Sequence, residues 1–304
     1  MPGFILIGEK SAKLKDLDIF TETFNSLGLP LEKVYADDIA VISGETPYIY
    51  IRGAKTPPPD FIIPAFFGDN TYHNRSVVRM FESIGVLCIN NCDCLINTGD
   101  KLKSFQLIKK HAPYACLPKT MLYMPSIGEK TITENFSFPI IVKIDHGAKG
   151  TGVSLAKNYD HLIDIIGLYR KSYNDEILLQ EFISESAGVD LRIIICGGKY
   201  ITSFKRINEK CFKSNLASGG RLEFFTPPDE IINTAKAVGA ALNINLGSVD
   251  FLLGSKGRYY VCEANSMPGL SYVKAAAKAG LRNPLSDIAE NIRRQVENHK
   301  SNIQ

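Results

Sequence analysis

The sequence predicts an α/β protein whose C-terminal part is of the α+β type. Over the first 95 residues, short apolar runs alternate with helical periodicity, as in "FILIG" at 4–8 followed by a helical pattern over 14–27. Later, "DLRIIICGG" and "KYITSFKRI" are joined by Gly197 and Gly198, and "GSVDFLLG" and "GRYYVCEAN" are joined by turn residues at 254–257. Both pairs indicate antiparallel hairpins.

The N-terminal part continues the alternation. Strands are predicted in "YIYIRG" at 48–53, "FIIPAF" at 61–66 and "VLCIN" at 86–90, with a helix through "VVRMFESIG". This order predicts a small domain with a mostly parallel sheet that ends near residue 95. A helix over about 100–110, a strand near "PKTMLY" and a weakly structured stretch at 125–137 follow.

From residue 138 the pattern changes. "FPIIVKI" and "ILLQEFI" predict strands that flank the glycine-rich "DHGAKGTGV" and a helix at 159–171. Another helix, at 228–242, precedes the last hairpin, and a helix of mixed charge at 283–298 closes the chain.

Composition limits the classes of function. A chain of 304 residues with 45% hydrophobic and 22% charged residues is typical of globular proteins, and a formal charge of +3 gives no global case for nucleic acid or an anionic membrane as partner. No long apolar span or secretory signal is apparent, so the expected compartment is the cytoplasm. Cys88, Cys92 and Cys94 lack a downstream pair at zinc spacing, which favours structural or incidental thiols over metal ligands.

The glycine-rich loop is a candidate phosphate site. In "VKIDHGAKGTGV", three glycines lie between two strands, with Lys143 before them and Lys149 among them. Glycine lets backbone N–H groups approach an anion, and lysine adds positive charge. The spacing matches neither a P-loop nor a dinucleotide-binding turn, and taken alone a flexible hairpin explains the same residues.

Two carboxylates are the second candidate. Asp250 and Glu263 lie in apolar sequence on adjacent predicted strands, and pairing about the turn can bring them together. With Asn265 they form an all-oxygen ligand set, for which Mg²⁺ with nucleotide phosphates is the natural occupant. Taken singly, each acid is more often a strand-end or capping residue.

A basic run is the third candidate. It comprises Lys199, Lys205, Arg206, Lys210, Lys213 and Arg221. Such a run can be a solvated face. The segment "KSNLASGG" within it instead suits a loop that folds over phosphates.

Together these motifs carry a resemblance. The ordered set "DKLKSFQLI", "FPIIVKIDHGAKGTGV", "LLQEFI", "GVDLRIII", "SFKRI", "KSNLASGG", "GSVDFLL" and "VCEANSMPGL" resembles the ATP-grasp superfamily and, within it, the RimK-like carboxylate–amine ligases. The resemblance implies an ATP-grasp fold. A Rossmann-like pre-ATP-grasp domain would span 1–95, a small central lid domain 96–183 and a catalytic C-terminal domain 184–304. The chain departs from the pattern at Ala65, which follows Pro64, and at Asp145 and His146, before the first loop glycine.

The resemblance also implies site residues. It implies nucleotide binding by Lys101, Lys143, Gly147, Gly150, Thr151, Gly152, Glu181, Phe182, Ile183, Asp190, Lys213, Ser214 and Asn215. It implies catalytic roles for Arg206, Arg192 and Lys143. Asp250, Glu263 and Asn265 would bind two Mg²⁺ ions, with Mn²⁺ as an alternative.

The implied activity is that of an ADP-forming ligase that makes a C–N bond through an acyl phosphate. The substrates would be a carboxylate and an amino acid such as glutamate, added to a protein, peptide or small-molecule acceptor. No nucleic-acid or membrane partner is expected, and a homo-oligomer is compatible with the sequence. The alternatives are an ATP-grasp kinase and a nucleotide-binding module without turnover. A dinucleotide oxidoreductase lacks its glycine fingerprint after "FILIGEK".

Overall fold

The structure is a computed structural model that describes residues 1–8, 14–42, 44–45, 48–66, 71–146, 151–173, 175–214 and 219–303. Its helices are α1 (Leu14–Ser26), α2 (Tyr72–Ser83), α3 (Cys92–Gly99), α4 (Lys101–His111), α5 (Glu129–Asn135), α6 (Tyr159–Ser172), α7 (Asp229–Ala241), α8 (Ser271–Lys278) and α9 (Pro284–Ile303). Its strands are β1 (Gly3–Ile7), β2 (Leu31–Tyr35), β3 (Ile39–Ile42), β4 (Tyr48–Ile51), β5 (Ala54–Thr56), β6 (Phe61–Pro64), β7 (Leu87–Cys88), β8 (Thr120–Leu122), β9 (Ile140–Ile144), β10 (Val153–Ala156), β11 (Ile177–Glu181), β12 (Val189–Cys196), β13 (Lys199–Ile207), β14 (Arg221–Phe224), β15 (Leu246–Leu253) and β16 (Tyr259–Asn265).

The N-terminal sheet is parallel, in the order β2-β1-β6-β7. Its central strand β1 is buried on both faces, as expected for a continuous apolar run covered by helices. Phe4 and Leu6 pack into the core with α2, whereas Ile5 and Ile7 pack into the core with α1 and α9. The predicted parallel sheet is confirmed for β1, β6 and β7.

The prediction that 48–53 belongs to the parallel sheet is wrong. This segment forms β4, which pairs antiparallel with β3 and β5 in a separate three-stranded sheet. The physical reason is the turn between β4 and β5, where Arg52 and Gly53 both have positive φ, 51° and 79°. Two such residues in succession favour the tight hairpin that reverses the chain.

The second sheet is antiparallel, in the order β10-β9-β11-β8. Ile140 and Val142 of β9 pack with Leu162 and Ile166 of α6 on one of its faces. The expectation of weak structure at 125–137 is incomplete, because α5 lies there. Its fully buried Ile132 joins the same core, which supplies the stability that the short polar segment lacks by itself.

The third sheet is antiparallel and five-stranded, in the order β14-β13-β12-β15-β16. Both predicted hairpins, β12–β13 and β15–β16, are confirmed. Alternate residues of β12 point to opposite faces: Leu191, Ile193 and Ile195 pack with α4 and α7, whereas Ile194 and Cys196 pack with α8 and α9. Along the chain, Asp190 and Arg192 therefore share the face of Ile194.

The three clustered cysteines are free thiols. Cys92 and Cys94 are buried in α3, and Cys88 is half-buried in β7. Separately, none of the helices within the described ranges combines the length and apolar character that crossing a membrane requires.

Candidate active site

The register of the five-stranded sheet gathers four charged residues. Asp190 lies opposite Arg206 on β13, and Arg192 lies opposite Asp250 on β15. Because side chains alternate across a strand, these residues all project from one face. The four residues lie on three different strands of mainly apolar sequence. Their charges come together only because these strands pair in this register.

The four side chains form a buried ion network. Arg192 donates to Asp250 from Nε at 2.7 Å and from Nη2 at 2.6 Å. Arg206 donates to Asp250 from Nη2 at 2.8 Å and makes a bidentate contact with Asp190, in which Nε lies 2.7 Å from Oδ1. Ser214 completes the network by donating its hydroxyl to Asp190 at 2.6 Å. This hydrogen bond connects the segment "KS", Lys213 and Ser214, to β12 through Asp190.

The network fixes the charges of its members. Burial alone raises the pKa of Asp250, but the Arg192 and Arg206 guanidiniums outweigh it and hold the pKa below its ordinary value. For Arg206, burial lowers the pKa, and the carboxylates of Asp250 and Asp190 outweigh that effect and raise it. Asp250 therefore stays ionised and Arg206 stays cationic.

The proposed metal ligands lie beside this network. Asp250 is paired with Glu263 across β15 and β16, and Asn265 lies two residues further along β16, hence on the same face. The Glu263 side chain is one-third exposed, and its Oε1 lies 3.9 Å from Lys101 Nζ. The Nδ2 atom of Asn265 is buried and has no hydrogen-bond partner. This is expected if the other atom of the amide, Oδ1, faces the proposed metal site. An ionised carboxylate, a second carboxylate and an amide oxygen fit a hard cation such as Mg²⁺.

Two lysines face the acids from the other side of the site. Lys143 on β9 is 4% exposed, and its Nζ lies 3.1 Å from Gln180 Oε1 and 5.3 Å from the centre of the Phe105 ring. Burial lowers the pKa of Lys143. Lys101, the first residue of α4, donates to the carbonyl of Asp145 at 2.6 Å. Both amines thus lie where an anion would compensate their charge.

A cleft joins these groups, and it encloses about 950 Å³ of space, part of which is open solvent. Twelve of the residues implied by the resemblance line it: Lys101, Lys143, Thr151, Glu181, Phe182, Ile183, Asp190, Arg206, Lys213, Ser214, Asp250 and Glu263. Arg192 contacts the cleft through Asp250. Gly147, Gly150 and Asn215 lie outside the described residues.

One part of the cleft is apolar. Its walls there include Ile141 and Val153 of the second sheet and Leu252 of the third. Phe182 and Phe212 meet edge to face, with ring centres 6.3 Å apart. A flat apolar slot continuous with a cluster of cations and acids suits a ligand that joins an aromatic base to a polyanion.

Gly152 is required for close packing at the edge of the cleft. It has φ of +66°, and a Cβ at this position would lie 2.6 Å from two atoms of the Ile144 side chain. A larger residue would therefore force the Ile144 side chain, next to Lys143 on β9, to move, and would be strained at this positive φ. The sequence predicts that this glycine belongs to a phosphate-binding loop. The structure shows a steric reason for glycine here, namely the close approach of the Ile144 side chain.

Sequence reasoning missed Asn90. This side chain is 1% exposed and lies in the N-terminal part, yet its Nδ2 donates to the carbonyls of Leu246 and Ser266 at 2.7 and 2.6 Å. Its Oδ1 accepts from the backbone N–H groups of Asn245 and Leu246 at 2.7 and 2.9 Å. Asn90 thereby ties the start of β15 to the residue after β16. No local signal could have found a contact that spans more than 150 residues of chain.

The site residues lie within a region that matches a known family. Residues 98–288 match the model of the RimK-like ATP-grasp domain. A probable alpha-L-glutamate ligase of Syntrophotalea carbinolica is 30% identical over 262 residues, covering 85% of this chain and 83% of that protein. Another, from Maridesulfovibrio salexigens, is 33% identical over 251 residues and covers 82% of each chain.

Solved structures resemble the whole fold. The D-alanine–D-alanine ligase of Bacillus anthracis has a TM-score of 0.69 at 17% identity, covering 98% of this chain and 99% of that one. The ATP-grasp ligase PsnB, in complex with precursor peptide PsnA2 and AMPPNP, has a TM-score of 0.70 at 15% identity, covering 97% and 98%. The predicted ATP-grasp fold is confirmed by this similarity.

Proposed function

This chain belongs to the RimK-like ATP-grasp family and is an ATP-dependent carboxylate–amine ligase, and from that premise we propose that it uses L-glutamate as one of its two substrates. The observation that carries the proposal is the cleft in which an apolar slot, the cations Lys143 and Arg206 and the carboxylates Asp250 and Glu263 meet, with Asn265 two residues further along β16. The glutamate assignment is supported by two relatives that are 30% and 33% identical to this chain, both of which are named probable alpha-L-glutamate ligases.

In this proposal the nucleotide lies between the second and third sheets. The adenine occupies the slot between Phe182, Phe212 and Leu252, and the phosphates extend toward Lys143 and Lys101. Lys143 is poised for this role because burial of its amine outweighs the attraction of Glu263 and Asp145 and lowers its pKa, so phosphate oxygens would add the charge that favours the ammonium form. Lys213 lines the same cleft and supplies a further cation.

Asp250, Glu263 and Asn265 would hold two Mg²⁺ ions, and Mn²⁺ would fit the same oxygen ligands. Bound Mg²⁺ neutralises charge on the phosphate oxygens during transfer. The chain's own contribution is to keep Asp250 ionised through Arg192 and Arg206 and to hold Glu263 opposite it.

The chemical steps follow from the substrates. A carboxylate is a poor acylating agent, so its oxygen first attacks the γ-phosphorus of ATP, the bond to the bridging oxygen breaks, and ADP leaves. The amine of the second substrate then attacks the acyl carbon, loses a proton, and displaces phosphate to leave the amide. Arg206 and Lys143 offset the charge that spreads over the phosphoryl oxygens. Closure of the cleft would exclude the water that competes with the amine.

The acceptor is proposed to be a peptide or a protein tail. PsnB, which shares the fold, has been solved with a precursor peptide, so the architecture accommodates such a partner in that protein. Glu263 lines the cleft and its side chain is one-third exposed, which supports access to the cleft for an extended chain.

The test follows oxygen from the carboxylate to phosphate. Phosphate release is first screened with L-glutamate and candidate carboxylates, including glutamate itself, peptides and small acids. The active pair is then run with ¹⁸O in the carboxylates. We expect ADP and one labelled oxygen in the released phosphate. Release that does not depend on glutamate would overturn the substrate assignment, and AMP with pyrophosphate, or unlabelled phosphate, would overturn the mechanism.

A further inference from the structure

Two buried polar atoms without partners belong to residues that are paired across two strands beside the proposed metal site. Within the described ranges, three buried side-chain atoms lack a hydrogen-bond partner, and two of them are Ser248 Oγ and Asn265 Nδ2. Ser248 is fully buried. Leaving such groups unsatisfied destabilises a folded protein, so each requires an explanation.

The two residues are direct cross-strand neighbours. Ser248 on β15 is paired with Asn265 on β16, two positions from the pair of Asp250 and Glu263. Facing Cβ atoms in an antiparallel pair lie about 5 Å apart. A serine hydroxyl and an asparagine amide can bridge that gap by direct contact after rotation of the hydroxyl, or through one buried water.

The backbone around this pair is held firmly. Gly247 lets the strands approach, because a Cβ there would lie 2.4 Å from the carbonyl oxygen of Asn265. Asn90 binds backbone groups of Leu246 and Ser266, which flank the pair at the same end of the hairpin. The backbones of Ser248 and Asn265 are therefore held in a fixed register, with both side chains on the same face of the sheet.

We propose that Ser248 is a positioning residue that sets the orientation of the Asn265 amide. Its Oγ would accept a hydrogen bond from Nδ2 through one buried water, or directly after a rotation of the serine side chain, and this keeps Oδ1 turned toward the proposed cation site. An amide turned the other way would present N–H groups to a positive charge. The inference rests on the proposed role of Asn265 as a Mg²⁺ ligand, and ligand orientation by such outer contacts is a general property of metal sites.

The experiment measures Mn²⁺ binding in the presence of ADP by electron paramagnetic resonance. Ser248→Ala should weaken Mn²⁺ binding by about 10- to 100-fold, and Ser248→Thr, which keeps the hydroxyl, should restore most of it. Ser203→Ala is the matched control, since Ser203 is a buried serine on the opposite face of the same sheet. It should leave Mn²⁺ affinity unchanged.

A double-mutant cycle separates orientation from packing. In the Asn265→Asp background both side-chain atoms are oxygens, so orientation no longer matters and Ser248→Ala should have no further effect on Mn²⁺ affinity. Unchanged affinity in Ser248→Ala alone, or an equal loss in both backgrounds, would overturn the positioning role. Unchanged affinity in Asn265→Ala would instead overturn the metal assignment on which the inference rests.

Discussion

At the scale of single residues, the buried amine of Lys143 makes nucleotide binding sensitive to pH. Its pKa lies below the ordinary value of 10.5 because burial disfavours the charged form. Phosphates in the cleft would favour the charged form and raise the pKa again. As pH rises through the lowered pKa, binding must therefore take up a proton, and nucleotide affinity should fall.

This prediction is checked by calorimetry of ADP binding in alkaline buffers of different ionisation enthalpy. We expect net proton uptake for the unmodified protein at pH values around and above the lowered pKa of Lys143, its disappearance at more acidic pH, and its loss in Lys143→Met together with weaker binding. Lys157→Met, at an exposed position outside the cleft, should behave like the unmodified protein. Equal proton uptake in both variants would assign the linkage to another group.

Glu263 differs from Asp250 in its surroundings, and this difference predicts its role. Asp250 has its charge balanced by Arg192 and Arg206, whereas Glu263 is partly exposed and has Lys101 at 3.9 Å. Glu263→Gln keeps the shape and removes a metal-binding charge, so turnover should fall by roughly 100-fold or more while the unfolding midpoint changes little. Phosphate release near the normal rate at moderate Mg²⁺ would contradict the assignment. Glu223→Gln, on exposed β14, is the control.

At the scale of elements, Asn90 joins the N-terminal part to the hairpin that carries the metal ligands. Asn90→Ala would remove a hydrogen-bond partner from four backbone groups, in two buried and two partly buried hydrogen bonds. We expect a loss on the order of 3 kcal/mol in the free energy of unfolding, measured with urea. Asn135→Ala, at the exposed end of α5, should cost far less. If both variants unfolded at the same urea concentration, the hydrogen bonds of Asn90 would contribute little to the free energy of unfolding.

The hairpins were predictable because their determinants are local. Gly197 and Gly198 mark one turn, and residues 254–257 mark the other. Pairing about the second turn predicts that Asp250 and Glu263 lie close together, and the register confirms it. The prediction for 48–53 fails because strand propensity does not specify a partner. Long-range contacts such as that of Asn90 leave no periodic signal at all.

At the scale of the whole molecule, the cleft is built from two sheets that a bound nucleotide would join. Ile141, Lys143 and Val153 come from the second sheet, whereas Arg206 and Asp250 come from the third. A ligand that binds only the folded protein stabilises it by about 2.7 kcal/mol at a hundred times its dissociation constant. The free energy of local unfolding should therefore rise in both walls of the cleft, the second sheet and the third sheet, when nucleotide is present.

Hydrogen exchange with and without ADP and Mg²⁺ checks this prediction. Exchange should slow in Ile140–Ile144 and Val153–Ala156 of the second sheet and in Lys199–Ile207 of the third. The separate sheet formed by β3, β4 and β5 contributes no residue to the cleft and serves as the internal control. Lys143→Ala should reduce the protection in both walls together, since one ligand links them. Protection confined to a single wall would show that the nucleotide does not span the cleft, and the placement of adenine and phosphates between the sheets would then be wrong.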